Sequence, residues 1–327
     1  MNFLQYFRKT NLNALSFSKS DFFLQQFRSE NQQIPLDLFS ISGYSLFLKR
    51  EDNIHEVVSG NKFRKLKYPL QDMMRSDKKA ILTFGGAYSN HIAAVAETGR
   101  ILNIKTTGII RGEELGPAVA SNPTLRFASK CGMRLVFMSR EEYRTKDNSE
   151  TLGRYVENLS DYYIIPEGGT SELAVKGCEE ILTSEDSEFD YVCVTVGTGG
   201  TFAGIINSLQ SHQTGIGFSA LKGTFQKELI ARYAANENFE IIDTYCFGGY
   251  AKIDSELIRF INEFKNTAGI QLDPIYTGKM MFGILKLMEE GYFRKNSRIL
   301  AIHTGGLQGI EGMNLLLKKK NLPQIEL

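Results

Sequence analysis

YVCVTVGTGGTFAGIINSLQ, residues 191–210, decides the fold. YVCVTV is apolar at nearly every position, the pattern of a strand covered on both faces, as in parallel sheets. GTGG then turns the chain, and TFAGIINSLQ reads as a helix. The first N–H groups of such a helix have no internal partner and, with the helix dipole, cradle an anion. Thr198 and Thr201 add hydroxyls to the turn Gly197, Thr198, Gly199, Gly200, Thr201. A Walker-type GxxxxGK[ST] is absent, and the dinucleotide pattern GxGxxG would need glycine where Phe202 stands. The turn therefore points to a phosphate outside the nucleotide classes, or is a tight structural turn and nothing more.

The same order repeats along the chain. Strands are predicted at YSLFLKRED (44–52, ending in a polar turn), ILTF (81–84), LNIKTTGII (102–110), MRLVFM (133–138) and YYIIP (162–166). GIGFSA (215–220), FEIID (239–243) and SRILAIHTGG (297–306) continue the series, and IPLDLFSI (34–41) reads as extended. Helices are predicted between them: NKFRKLKYPLQDMM (61–74, broken or kinked at Pro69), HIAAVAETGR (91–100) and PAVASNPTLRFASKCG (117–132). TLGRYVENLS (151–160), SELAVKGCEEIL (171–182), TFQKELIARYAA (224–235), IDSELIRFINEFKNTAG (253–269) and KMMFGILKLMEEGYF (279–293) follow. Strands alternating with such helices define an α/β fold with largely parallel sheets. Ligands of open α/β folds bind beyond the carboxyl ends of strands. GTGG, GGAYSNH (85–91) and HTGG (303–306) all stand at such ends.

Composition narrows the function. A chain of 327 residues with 42% hydrophobic content holds two domains, or one large α/β unit with a second lobe. Ten of its 30 glycines stand in pairs at 85–86, 168–169, 199–200, 248–249 and 305–306, which suggests repeated close approaches of backbone. Lys plus Arg is 38 against Asp plus Glu 37, so no positive field invites nucleic acid, and the chain is not predominantly disordered. Cys131, Cys178, Cys193 and Cys246 form no CxxC pair, predicting neither a disulfide scaffold nor a metal site; Cys193 reads as a small buried hydrophobe. No run of 18 apolar residues predicts a membrane span. Residues 1–11, MNFLQYFRKTN, lack the apolar core of a secretory signal. A soluble protein of the reducing cytoplasm is the expectation.

Ser89 and Asn90 read as helix caps or as ligands, and His91 as a donor at the helix start or as structural. SGNKFRKLK (59–67) places Lys62 beside Asn61. Alone this is a basic surface helix. Next to a phosphate-type turn in an α/β enzyme it completes the minimum set for pyridoxal 5'-phosphate held through a lysine. LKRED (48–52), SGNKFRKL (59–66), GGAYSNH (85–91), GTGGT (197–201), DPIYTGK (273–279) and HTGG (303–306) together resemble the D-cysteine desulfhydrase and 1-aminocyclopropane-1-carboxylate deaminase family. These are fold-type II enzymes dependent on pyridoxal phosphate, related in fold to tryptophan synthase β. The likeness runs from about residue 40 to residue 310. GNKxRKL with GGxxSNH is specific, whereas GTGGT alone marks the wider superfamily.

The resemblance implies two open three-layer α/β/α domains and a homodimer. A smaller domain at 76–175 closes over the substrate, inserted in a larger cofactor-binding domain of 1–75 and 176–327. Lys62 resembles the Schiff-base lysine and the base it becomes on release, Asn90 the partner of the pyridine 3-hydroxyl, and residues 197–201 the phosphate cup. Ser89 matches a serine near the substrate, and its neighbours Asn90 and His91 help receive the substrate carboxylate. Tyr276 matches a tyrosine close to cofactor and substrate, Tyr250 a second one on the substrate side, and Thr304 lies beside the ring. The cyclopropane deaminases carry glutamate near the pyridine nitrogen, where this chain has Thr277. That favours D-cysteine, cleaved to pyruvate, ammonia and hydrogen sulfide. Ring opening of the cyclopropane amino acid, lyase action on D-serine or another β-substituted alanine, and a cofactor-binding protein without catalysis are the alternatives. Tyr88, where many relatives have glutamine, and Ile92 and Ala93, where they are more polar, keep the substrate's identity open.

Overall fold

Ten strands build two separate sheets in the computed structural model, which describes residues 29–327. The readings of residues 1–11 and of the polar, aromatic-dotted start of the chain up to residue 28 lie outside the described residues. In chain order the strands are β1 (Asn31–Ile34), β2 (Ser45–Lys49), β3 (Ala80–Gly85), β4 (Lys105–Arg111), β5 (Arg134–Met138), β6 (Tyr162–Ile165), β7 (Tyr191–Val196), β8 (Thr214–Ser219), β9 (Phe239–Ile242) and β10 (Arg298–Ile302). The helices are α1 (Asn61–Arg75), α2 (Asn90–Leu102), α3 (Pro123–Lys130), α4 (Ser149–Gly153), α5 (Glu172–Glu179), α6 (Gly200–Ser208), α7 (Gln226–Ala231), α8 (Ser255–Ala268), α9 (Thr277–Glu289) and α10 (Gly309–Lys319).

The described chain divides into two compact units, Leu66–Gly169 and residues 29–65 with Thr170–Leu327. The first holds the sheet β5-β4-β3-β6, parallel throughout. Every residue of β3 is buried. Leu82, Phe84, Ile109, Met138 and Leu152 pack together in its core.

The second unit holds the sheet β1-β2-β10-β7-β8-β9, with β1 antiparallel to β2 and the other pairs parallel. The unbroken apolar run of β7 has a direct cause. Cys193 joins a core cluster with Leu46, Leu48, Met281 and Ile299, while Val192, Val194 and Val196 join another with Phe202, Ile206 and Leu300. Successive side chains point to opposite faces, and both faces are covered. Burial of each such side chain is worth roughly 1.5–3 kcal/mol.

Four local expectations change. The helix expected over 117–132 begins only at Pro123, because Asn122 caps it by accepting the Leu125 N–H at 2.9 Å. The one expected over 151–160 ends at Gly153. Residues 36–39 form a 3₁₀ turn instead of extended chain. Pro69 does not break α1, which runs through it. The missing N–H costs the helix one bond to the Lys65 carbonyl, but Phe63, Leu66, Leu70 and Met73 bury an apolar stripe that holds the turns together. Among the described residues no helix is long and apolar enough to cross a membrane.

Candidate active site

Lys62 stands in the first turn of α1, and the residues around that turn explain how it is held. Gly60 precedes it in the left-handed region at φ +56, where a Cβ would lie 2.1 Å from the Thr304 carbonyl oxygen. Only glycine lets these two turns touch. Behind the turn, the Glu51 carbonyl accepts the Gly60 N–H at 2.9 Å. The fully buried Glu51 carboxylate takes two bonds from Arg64, Nε at 2.9 Å and Nη2 at 2.7 Å. Burial works against the Arg64 charge, yet the Glu51 bonds outweigh it and raise the pKa. Around Glu51, LKRED is scaffold: Lys49 pairs with buried Asp186 at 2.8 Å, and Arg50 clamps Asp52 at 2.9 and 2.7 Å. On the Thr304 side, His303 Nε2–H donates to the Gln271 carbonyl at 2.8 Å. Its Nδ1 accepts the Gly305 N–H at 3.2 Å.

The GTGGT turn meets this lysine helix. Lys62 Nζ donates to Asn61 Oδ1 at 3.2 Å, and Asn61 Nδ2 donates to Thr201 Oγ1 at 2.9 Å. Lys65, one residue short of a full helical turn onward and so on the same face, donates to Thr170 Oγ1 at 3.0 Å and Thr198 Oγ1 at 3.3 Å. Gly199 is left-handed at φ +85, and a Cβ on Gly200 would meet Thr170 Cγ2 at 2.7 Å. The glycines thus admit Thr170 to the start of α6. The Cys178 thiol, pushed up to about 11 by burial, hydrogen-bonds Thr201 from beneath.

Electrostatics follow from this crowding. Burial lowers Lys62 to about 7, and the neighbouring Lys65 charge adds to the shift. Burial also lowers Lys65 to about 8. A neutral Lys62 amine is then available near pH 7 as nucleophile and base. The unfolded chain keeps these protons to about pH 10.4, so above pH 7 it binds more protons than the native state and stability rises with pH. Above the ordinary thiol value of about 8.5, buried Cys131, Cys178 and Cys193, all raised by burial, oppose the trend. The melting temperature of cofactor-free protein should therefore climb between pH 6.5 and 8.5, and climb less in Lys62→Met. Equal slopes would contradict the assignment of Lys62 as a depressed lysine.

Tyr276 and Thr277 open α9 around Asp273. The Asp273 carboxylate accepts the backbone N–H groups of Ile275, Tyr276 and Thr277 at 2.9, 3.0 and 2.7 Å. Thr277 Oγ1 gives its proton to the same carboxylate at 2.7 Å and accepts the Asp273 N–H at 2.9 Å. Tyr276 reaches the GTGGT turn, its hydroxyl 3.5 Å from where a Gly197 Cβ would be. The Tyr250 ring meets Tyr276 edge-on, with centroids 6.3 Å apart.

In the Leu66–Gly169 unit, Ser89 is the N-cap of α2, its Oγ accepting the Ile92 N–H at 3.3 Å. The cap uses a lone pair and leaves the hydroxyl proton to be given elsewhere. Asn90 is the first helical residue. His91 is buried. Thr83 donates to the Ile165 carbonyl at 2.9 Å and so accepts from His91 Nε2–H at 2.8 Å.

Sequence reasoning missed Lys65, Thr170, Asp273 and the Glu51–Arg64 pair. The lysine spacing at 62 and 65, the Gly168–Gly169 turn before Thr170, and the Asp-Pro helix start at 273–274 were the available signals.

The donor set suits pyridoxal phosphate. A buried ammonium, two threonine hydroxyls and a helix N-terminus match a phosphate, and a depressed lysine matches an aldehyde. Comparison with known proteins agrees with this chemistry. Residues 29–305 match the family described as pyridoxal-phosphate dependent enzyme. A Thermotoga maritima protein provisionally named 1-aminocyclopropane-1-carboxylate deaminase is 31% identical over 82% of this chain and 90% of its own. The Arabidopsis thaliana bifunctional D-cysteine desulfhydrase/1-aminocyclopropane-1-carboxylate deaminase is 28% identical over 82% of this chain and 74% of its own. A crystal structure described as that of a 1-aminocyclopropane-1-carboxylate deaminase homologue superposes with a TM-score of 0.75 at 26% identity, covering 91% of this chain and 98% of that one. Fold and site together define a fold-type II pyridoxal-phosphate enzyme, a lyase or deaminase. The chain belongs to the family of the 1-aminocyclopropane-1-carboxylate deaminases and D-cysteine desulfhydrases.

Proposed function

We propose that this enzyme deaminates a small amino acid, with 1-aminocyclopropane-1-carboxylate its foremost substrate, opened and hydrolysed to 2-oxobutyrate and ammonia. The observation that carries the deaminase reading is Lys62, an amine depressed to about 7 and tied through Asn61 to the anion-binding turn. The names of the relatives support the cyclopropane substrate. A second reading, β-elimination of D-cysteine to pyruvate, ammonia and sulfide, is favoured by Thr277. Its proton is committed to Asp273, and a hydroxyl supports a protonated ring nitrogen far less than a carboxylate does. Expulsion of a thiolate demands less of that ring than carbon–carbon cleavage.

Bound, the cofactor supplies an electron sink for charge developing at the substrate α-carbon. The chain supplies the rest. Lys65, Thr170, Thr198 and the N–H groups opening α6 would hold the phosphate. Lys62 Nζ would hold the aldehyde carbon of the cofactor, and as a free amine would carry protons to and from substrate carbon. The N-terminus of α2 with the Ser89 hydroxyl suits a carboxylate, and the Tyr276 phenol is a further proton carrier beside Gly197.

A product assay across 1-aminocyclopropane-1-carboxylate, D-cysteine, L-cysteine, D-serine and β-chloroalanine tests both readings. 2-Oxobutyrate from the cyclopropane substrate, with a kcat/KM at least about tenfold above the others, is the expected result. Pyruvate with sulfide from D-cysteine alone would move the assignment to the second reading. No keto acid from any of them would sink both.

A further inference from the structure

The 246–251 segment, CFGGYA, carries Tyr250 and is held in an unusual conformation. Phe247, Gly248, Gly249 and Ala251 lie at φ +52, +83, +115 and +56. Phe247 and Ala251 have no glycine-like freedom there, so each is strained and persists only if its surroundings impose it. The surroundings supply one strong restraint. Lys279, in the first turn of α9 and 2% exposed, donates from Nζ to the carbonyls of Cys246 and Gly249, each at 2.8 Å. The same two carbonyls close the segment's own turns, accepting the N–H groups of Gly249 and Lys252. A buried ammonium thus joins both ends of a strained turn. Tyr250 follows the second acceptor directly, and its ring packs on Tyr276, three residues before Lys279 on the helix that Lys279 also occupies.

We propose that Lys279 is a positioning residue for the substrate side of the site: its ammonium pins the 246–251 turn so that Tyr250 is presented to Tyr276, and loss of that charge releases Tyr250. The groups facing the ammonium are Asp273 ahead of α9, Asp254 at the start of α8 and the Cys246 thiol, while Lys252 runs along Gly248. Burial outweighs these acidic neighbours and lowers Lys279 to about 8. The neutral amine keeps donors but loses the charge-assisted part of both bonds. The turn therefore loosens as pH rises through 8. The effect on substrate rests on the reading that Tyr250 and Tyr276 face a small amino acid; the pinning of Tyr250 does not.

The chain contains no tryptophan, so Tyr250→Trp installs a single tryptophan, excited apart from the tyrosines at long wavelength, at the position in question. In the holoenzyme carrying this change, emission should shift to the red between pH 7 and 9 with a midpoint near 8. With Lys279→Met added, emission should be red-shifted throughout and flat with pH. A flat profile in the single variant, or the same titration with and without Lys279, would overturn the pinning. The single variant decides alone if the double variant does not fold. In the parent background, Lys279→Met should raise KM about tenfold at pH 7 while changing kcat less than about threefold. A fluorescence response without this split would leave Tyr250 pinned but remove its role toward substrate.

Discussion

Lys62→Ala should fold, lose the visible absorbance of lysine-bound cofactor, and fall at least about 10³-fold in kcat, in line with removing a group that is both covalent tie and proton carrier. Folding survives because the side-chain hydrogen bond of Lys62 runs to its own neighbour, Asn61. Cofactor should still associate through the Lys65, Thr170 and Thr198 cluster, so binding weakens without vanishing. Far-ultraviolet circular dichroism, visible absorbance and equilibrium binding separate these three statements. A variant with an unchanged spectrum would end the assignment of Lys62. The parent adds a pH signature. Below 7 the amine is mostly protonated, so the rate at which cofactor-free enzyme captures cofactor should rise by up to about tenfold per pH unit and level off above it.

How much of this was legible in the sequence varies with the kind of signal. Strand β7 and the turn after it were readable because a two-faced apolar run and a glycine turn are local patterns. Helix ends were harder: the Asn122 cap decides where α3 begins, and a single side-chain bond outweighs the apolar pattern ahead of it. Lys62 was legible as a site candidate through its neighbours, but the Lys65 cluster was not, since it is completed by Thr170 and Thr198, 105 and 133 residues away. LKRED marked the right region with a scaffold role, its charges being spent on Asp186, Arg64 and one another. In sequence Thr277 stands against a ring nitrogen by resemblance, whereas its hydroxyl in the structure is bound to Asp273 of the same motif. A hydroxyl shows no orientation in sequence; only the distances to Asp273 reveal where its proton goes.

Arg64→Met should be the most damaging change outside the lysine itself, although Arg64 touches neither GTGGT nor Thr304 in the bonds that define the site. It would leave the Glu51 carboxylate fully buried and without its bidentate partner, a defect that costs about 3–5 kcal/mol. Thermal unfolding of a chain this size should then come about 10 °C earlier. The loss is not confined to stability. The Glu51 backbone carbonyl also accepts the Gly60 N–H, and Gly60 is the contact between the lysine turn and Thr304. A shift of Glu51 toward water therefore moves the start of α1, and cofactor capture by Lys62 should slow with it. Glu51→Gln in the same chain removes the stranded charge and should recover part of the melting temperature, but not the capture rate, because the clamp on the turn is still gone. If Arg64→Met melted with the parent, the pair would be ornamental and Lys62 would be held by the Gly60–Thr304 contact alone.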